Sequence, residues 1–312
     1  LGPVTVTQLH TRDSVLEDFI QQCENSDALL VVDTTAPPLG HETLALRPNN
    51  LSNAYADFGC SVVFFPFSTL QAHDNKVSSN LIQFDRKDFD YVVGQLNSAN
   101  LNIPKIYICS SFPSLEACTK AEFLRAAGWK VVYECRDDME EFNRVGYSKW
   151  YHPQLERQML STANSVVSVS SGLDEKLASL VSAMPPHFVV PNGVNIAVIE
   201  DGESLRTREI VEKRNSSNIF GYVGHLTSSW FDWPLLLSAA QALPDVEFEI
   251  VGHGLPKELD LPPNLTYLGP KTHEELRDIV GNWRAGLIPF ADVPLTRSVD
   301  PNKIYEYQAW GL

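Results

Sequence analysis

Ala285-Gly286-Leu287-Ile288-Pro289-Phe290 and, one loop later, Asp300-Pro301-Asn302-Lys303-Ile304-Tyr305-Glu306-Tyr307-Gln308-Ala309-Trp310-Gly311-Leu312 decide the fold. The first is an apolar run of strand length that ends in a proline. The second opens a helix on which Lys303 and Glu306, three residues apart, share a face, so the ammonium and the carboxylate point the same way. A strand that empties into a loop before a helix start is where open α/β sheets hold ligands, and the amides of a helix start favour anions. A phosphate with a ribose attached suits that pair of side chains.

Outward from this stretch, apolar runs alternate with helix-like ones along the whole chain, which is the signature of parallel sheets with crossover helices. Strands are expected at 28–33, 61–65, 105–109, 130–134, 165–169 and 187–190, and again at 219–223, 246–251, 265–268 and 285–288. Helices are expected at 48–58, 114–127 and 171–181 in the first half, and at 231–243, 272–282 and 302–311 in the second. Between 196 and 218 the pattern lapses into Glu-, Arg- and Ser-rich sequence, which predicts two domains, 1–198 and 199–312. The second stops before its sheet could be covered on both faces, so further residues are expected beyond Leu312.

A chain of 312 residues with 44% hydrophobic content can bury two cores. Its net charge of −15 argues against a nucleic-acid partner, whose backbone attracts basic surfaces. No window approaches the ~18 consecutive apolar residues that span a bilayer. Five cysteines, an odd number without CxxC spacing, speak against a disulfide framework or a zinc site and for a reducing, cytoplasmic setting.

Three strand ends in the second half carry glycine: Gly221-Tyr222-Val223-Gly224-His225, Val251-Gly252-His253-Gly254, and Asn264-Leu265-Thr266-Tyr267-Leu268-Gly269-Pro270. Glycine there lets a ligand approach the backbone, and three such ends on one sheet edge predict a shared crevice. In this order, with His273-Glu274-Glu275-Leu276, Gly-Leu-Ile-Pro-Phe and Lys303-Ile304-Tyr305-Glu306-Tyr307, these pieces resemble the nucleotide-sugar-binding half of a GT-B glycosyltransferase of the bacterial polysaccharide-biosynthesis type. In the first half, Leu46-Arg47-Pro48, the run from Glu156 to Ser170 and Val190-Pro191-Asn192-Gly193-Val194-Asn195 are similar to the same family. The resemblance implies an α/β protein of two Rossmann-like doubly wound parallel-sheet domains, facing each other across a cleft. The N-terminal domain would bind the acceptor and the C-terminal domain the donor.

The resemblance also assigns roles. Glu306 is implied to accept from the ribose hydroxyls and Lys303 to neutralise the diphosphate, with Tyr305 between them in the donor set. Gly224 and His225 are implied to meet the phosphates, and Gly269, Pro270 and Lys271 to frame the base. Ser298 stands where retaining relatives often carry a second glutamate, eight residues before the ribose-binding one, which puts that sugar contact in doubt. Arg and Lys residues frequent after the first glycine loop are replaced by His225, Ser228 and Ser229, so Arg297 is expected to help Lys303 with phosphate charge. Asp232, in Trp230-Phe231-Asp232-Trp233, is read either as a sugar contact or as the cap of the following helix.

Asp137 and Asp138 follow the fourth strand of the first domain. An acceptor hydroxyl needs a general base, and a carboxylate beside another has its pKa raised toward usefulness. Xanthan-type glucuronosyltransferases, which share this layout, are implied to use an aspartate here, so Asp137, or else Asp138, is the expected base. The bland alternative is that both cap the next helix. His41, with Glu42, is a further residue to consider near the acceptor. No metal motif stands out, and no metal or cofactor is expected beyond the nucleoside-diphosphate sugar. The expected reaction is glycosyl transfer to a saccharide or lipid-linked saccharide, with room for a peripheral contact at the inner membrane face. A catalytically silent sugar-nucleotide-binding subunit and a sugar-nucleotide epimerase are the alternatives.

Overall fold

The computed structural model describes residues 6–40, 46–70 and 75–312. They form two compact units, Leu1–Val190 and Pro191–Leu312. The first unit runs α1 (Val6–Cys23), β1 (Leu29–Thr34), α2 (Arg47–Asp57), β2 (Ser61–Phe65), β3 (Leu81–Gln83), α3 (Phe89–Ser98), β4 (Lys105–Ser110), α4 (Leu115–Ala126), β5 (Lys130–Cys135), α5 (Met139–Arg144), α6 (Pro153–Thr162), β6 (Ser165–Ser168), α7 (Ser171–Leu180) and β7 (His187–Val189). Its seven strands are parallel in the order β3-β2-β1-β4-β5-β6-β7. Burial on both faces explains why β1 and β2 read as apolar runs, whereas β7 at the sheet edge is exposed. Leu29 and Val31 of β1 pack into one core layer, and Leu30 and Val32 into the other.

The second unit runs α8 (Ile196–Leu205), α9 (Arg208–Asn215), β8 (Ile219–Val223), α10 (Trp233–Ala242), β9 (Glu247–Val251), β10 (Leu265–Gly269), α11 (His273–Val280), β11 (Ala285–Gly286), α12 (Pro294–Arg297) and α13 (Asn302–Trp310). Its sheet is parallel, in the order β10-β9-β8-β11. One face is filled by Tyr222, Phe231, Trp233 and Ile250, the other by Trp283, Tyr307, Trp310 and Val251. β11 is shorter than the expected 285–288. Ladder pairing holds only at Ala285 and Gly286, and the run then reaches Pro289, which has no N–H to donate.

The boundary corrects the expected one. The units divide after Val190 rather than after residue 198, because α8 belongs to the second core, where its Val198 and Leu205 are buried with Trp310. In both sheets the strand order reverses, between β1 and β4 in the first and between β8 and β11 in the second. Open sheets bind ligands outside the carboxyl ends of the strands at such reversals.

Candidate functional site

The reversal in the second sheet lies where the chain leaves β8 at Gly224 and β11 at Leu287. Tyr307 of α13 fixes this point. Its hydroxyl accepts from Val223 N at 3.1 Å and donates to Leu287 O at 3.2 Å, so the helix is pinned to both diverging strands. One turn earlier on the same helix, Lys303 reaches back over β8, with Nζ 5.4 Å from the centre of the Tyr222 ring. Tyr222 is fully buried, and its hydroxyl donates to His225 O at 3.2 Å, so one side chain underlies both the ammonium and the glycine loop.

Gly224 has φ +152°, and a Cβ there would stand 2.7 Å from Lys303 Nζ and from the Tyr222 hydroxyl. Only glycine leaves this space for the lysine. A Cβ on Gly252 would collide with Gly224 O, so the corners after β8 and β9 are in backbone contact. Main-chain bonds continue the edge: Gly224 N donates to Val251 O, Leu226 N to His253 O, and Gly252 N to Gly269 O. The three strand ends thus form one rim, as the sequence predicts, with Gly269 at its far end.

Burial pushes the pKa of the half-buried Lys303 down, with Glu306 opposing, and no ion pair forms at its Nζ among the described residues. A desolvated cation of this kind favours an incoming anion. Burial also lowers the pKa of His225, assisted by the charges of His253 and Lys303. His225 is thus held toward the neutral form, its ring 5.5 Å from that of Trp230.

The other expected donor residues lie on α10 to α13 and the loops that join them. Asp232 caps α10, accepting from Leu235 N at 2.9 Å, which is the helix-cap reading. Arg297 is exposed and paired with Asp292 at 3.0 Å. Ser298 ends α12. Lys271, beside Pro270, lies 3.5 Å from Glu275, whose side chain closes the capping box of α11 with Thr272. Tyr305 donates its hydroxyl to Asp300, at 2.8 and 3.1 Å from the two carboxylate oxygens. Glu306, beside the buried Tyr307 on α13, is half-buried.

In the first unit the two aspartates after β5 part company. Asp138 caps α5 by accepting from Glu141 N at 3.1 Å and is paired with Lys176 of α7 at 2.5 Å. Asp137 does neither. It is half-buried, and its ion pair is with Arg136 at 3.4 Å. Arg136 in turn spans from β5 to β1, donating to Thr34 Oγ1 at 3.4 Å and Thr35 Oγ1 at 2.5 Å. Burial raises the pKa of Asp137, Arg136 opposes, and the neighbouring Asp138 adds to the rise. Ser111, at the end of β4, holds the left-handed φ of +51° and accepts from Arg136 N at 2.8 Å. Non-glycine residues in that conformation collect at functional sites. His41 and Glu42 lie outside the described residues.

Among the described residues no group of three or more His, Cys, Asp or Glu side chains could hold a metal ion. Sequence reasoning missed Tyr222, Tyr307 and Asp300. Tyr222 and Tyr307 stand inside the quoted motifs, but their partners become visible only when α13 is laid over β8.

No protein-family model matches the chain. TuaH of Bacillus subtilis (strain 168), assigned by its name to teichuronic acid biosynthesis as a glycosyltransferase, is 22% identical over 247 residues, covering 73% of this chain and 59% of TuaH. The chain therefore spans about three fifths of the length of that curated relative. Among solved structures, Anabaena Alr3699/HepE in complex with UDP superposes with a TM-score of 0.60 at 16% identity, covering 91% of this chain and 79% of that one. The same protein in complex with UDP-glucose gives 0.58 at 16% identity, with 91% and 78% covered. The UDP-forming α,α-trehalose-phosphate synthase of Burkholderia xenovorans, in complex with glucose-6-phosphate, gives 0.54 at 11% identity, with 90% and 82% covered. With two parallel α/β units in tandem and these structural likenesses, the chain has the GT-B fold.

Proposed function

We propose that the chain is a glycosyltransferase that moves a sugar from a UDP-sugar to a hydroxyl of a saccharide, free or lipid-linked, in polysaccharide biosynthesis. The observation that carries this reading is Lys303: a desolvated ammonium on the Tyr222 ring, beside a glycine corner, at the strand-order reversal of the second sheet. Such a group binds a diphosphate and stabilises the charge that develops on it as it leaves. The UDP and UDP-glucose held by HepE and the name of TuaH support the donor and reaction class. Glu306, one turn further along α13, is the group for the ribose hydroxyls, since a carboxylate accepts from two donors.

In the transfer, the acceptor oxygen forms a bond to the anomeric carbon while the bond from that carbon to the diphosphate oxygen breaks. Its electron pair leaves with UDP. The hydroxyl proton passes to a carboxylate, and Asp137 is the one we assign. It is not spent on a helix cap, and burial brings its pKa toward the range where a base works at neutral pH. Among the described residues no helix is long and apolar enough to cross a membrane. A lipid-linked acceptor would be met peripherally, at the membrane surface.

Isothermal titration with UDP tests the donor site. The wild-type chain is expected to bind, and Lys303→Ala to weaken binding by at least tenfold, the factor for ~1.4 kcal/mol. Equal affinity in the variant would remove Lys303 from the site.

A further inference from the structure

Asp300 stands just before the N-terminus of α13 and is engaged on both sides. Its carboxylate accepts the Tyr305 hydroxyl at 2.8 and 3.1 Å, and one of the same oxygens accepts Asn192 N at 2.5 Å. Its main-chain carbonyl accepts from Asn192 Nδ2 at 2.6 Å. Asn192 and Asp300 are 108 residues apart in sequence, so these bonds join distant parts of the second unit. On the other side of Pro191, Val190 N donates to Ser168 O inside the first unit, at 2.8 Å. The chain is thus anchored to the first unit at Val190 and to the second at Asn192, with Pro191 between the anchors.

Tyr305 lies between Lys303 and Glu306 on α13, so whatever fixes its hydroxyl fixes the turn that carries both. We infer that Asp300 is a positioning residue for the nucleotide site, holding the first turn of α13 through Tyr305 and tying that turn to the inter-unit segment at Asn192. The inference rests on the donor-site reading above. It adds that nucleotide binding to α13 is felt at Asn192, and that the segment between the units in turn biases the geometry of Lys303 and Glu306. Such coupling is reciprocal: if nucleotide tightens the Asn192–Asp300 contact, tightening that contact favours nucleotide. The hydrogen bonds here go to a carboxylate and belong to the stronger class.

The test uses UDP as probe on the whole chain. Tyr305→Phe removes the one hydroxyl and keeps the ring, and Asp300→Ala removes the carboxylate. Each is expected to raise the UDP dissociation constant about tenfold, as for loss of a hydrogen bond to a charged group. Asp300→Asn, which keeps one acceptor oxygen, is expected to recover part of that loss. Hydrogen exchange supplies a readout that a merely structural role would not move. In the wild type, saturating UDP slows exchange of the Asn192 amide, and in Tyr305→Phe that slowing is lost. Wild-type affinity in Tyr305→Phe, while Lys303→Ala has lost it, would overturn the inference and leave the donor site standing. So would a wild-type Asn192 amide whose exchange ignores bound UDP. A wild-type chain that does not bind UDP removes the donor-site reading and this inference with it. If Asp300→Ala fails to fold, Tyr305→Phe alone decides.

Discussion

Lys303 shows how far one side chain constrains the rest. Burial pushes its pKa below the ordinary lysine value, so the fold disfavours its charge, and between the lowered and the ordinary pKa the unfolded chain binds more protons than the folded one. Stability contributed through this group therefore rises with pH across that window. Diphosphate binding has the opposite sign, because the anion needs the ammonium. UDP affinity is expected to be full below the lowered pKa and to fall as pH rises through it, before an ordinary lysine would titrate. Lys303→Arg keeps its charge across the same range. Titrating both proteins with UDP from neutral to alkaline pH checks this: the wild type should show a fall in affinity that the arginine variant lacks. Lys303 and Glu306 were legible in the sequence because helical spacing alone puts them together, and Asp232 was legible as a cap for the same local reason. The exposed pairing of Arg297 with Asp292 was not legible, because it depends on the course of a loop. Which of Asp137 and Asp138 caps α5 is a matter of one residue, which spacing does not settle.

At the scale of elements, α13 owes its placement to α8 and α9, where the sequence showed only a polar lapse. The buried face of α8 is Val198, Gly202 and Leu205, spaced at four and three, which is helical. Acidic and serine residues between them mask that pattern. Gly202 lets α13 cross closely, since a Cβ there would collide with Ala309 O. Arg214 of α9 then gathers helix ends. Its buried guanidinium donates to Leu205 O at 3.3 Å, Trp310 O at 2.6 Å and Val280 O at 2.9 Å, at the C-terminal ends of α8, α13 and α11. The negative ends of three helix dipoles offset the cost of burying this cation, which has no carboxylate partner among the described residues. Arg214→Met retains most of the volume and leaves those carbonyls without their donor. It is expected to destabilise the second unit by about 2–4 kcal/mol, read as a lower urea midpoint by tryptophan fluorescence. An unchanged midpoint would mean that water replaces the guanidinium without cost. The strands, in contrast, were legible almost throughout: β1 and β2 are buried on both faces and read as apolar runs, and β9 alternates Glu247 and Glu249 with the buried Phe248 and Ile250. β3, three residues long, is too short to give such a run.

At the scale of the whole molecule, two units of one architecture place different side chains at the same structural address, the carboxyl edge near a strand-order reversal. The second unit presents a desolvated cation and glycine corners there. The first presents Asp137, paired with Arg136, which bridges to Thr34 at the end of β1 and to Thr35 just beyond it. If donor binding and proton removal are divided in this way, the two functions separate by mutation. Asp137→Asn should abolish transfer to a saccharide acceptor, by at least the 10²-fold typical of a lost general base, and leave the UDP dissociation constant unchanged. Lys303→Ala should lose both. The wild-type transfer rate should rise with pH through the raised pKa of Asp137, because the carboxylate must be ionised to take the hydroxyl proton. Removing the opposing guanidinium in Arg136→Gln should move that rise to still higher pH. Rates of UDP release from a UDP-sugar with acceptor, measured across pH for these variants beside UDP titrations, decide it. If Asp137→Asn kept full transfer, the base would lie elsewhere in the first unit while the donor site remained. Asp137→Asn that also lost UDP affinity would mean that the carboxylate acts on the nucleotide rather than on the acceptor.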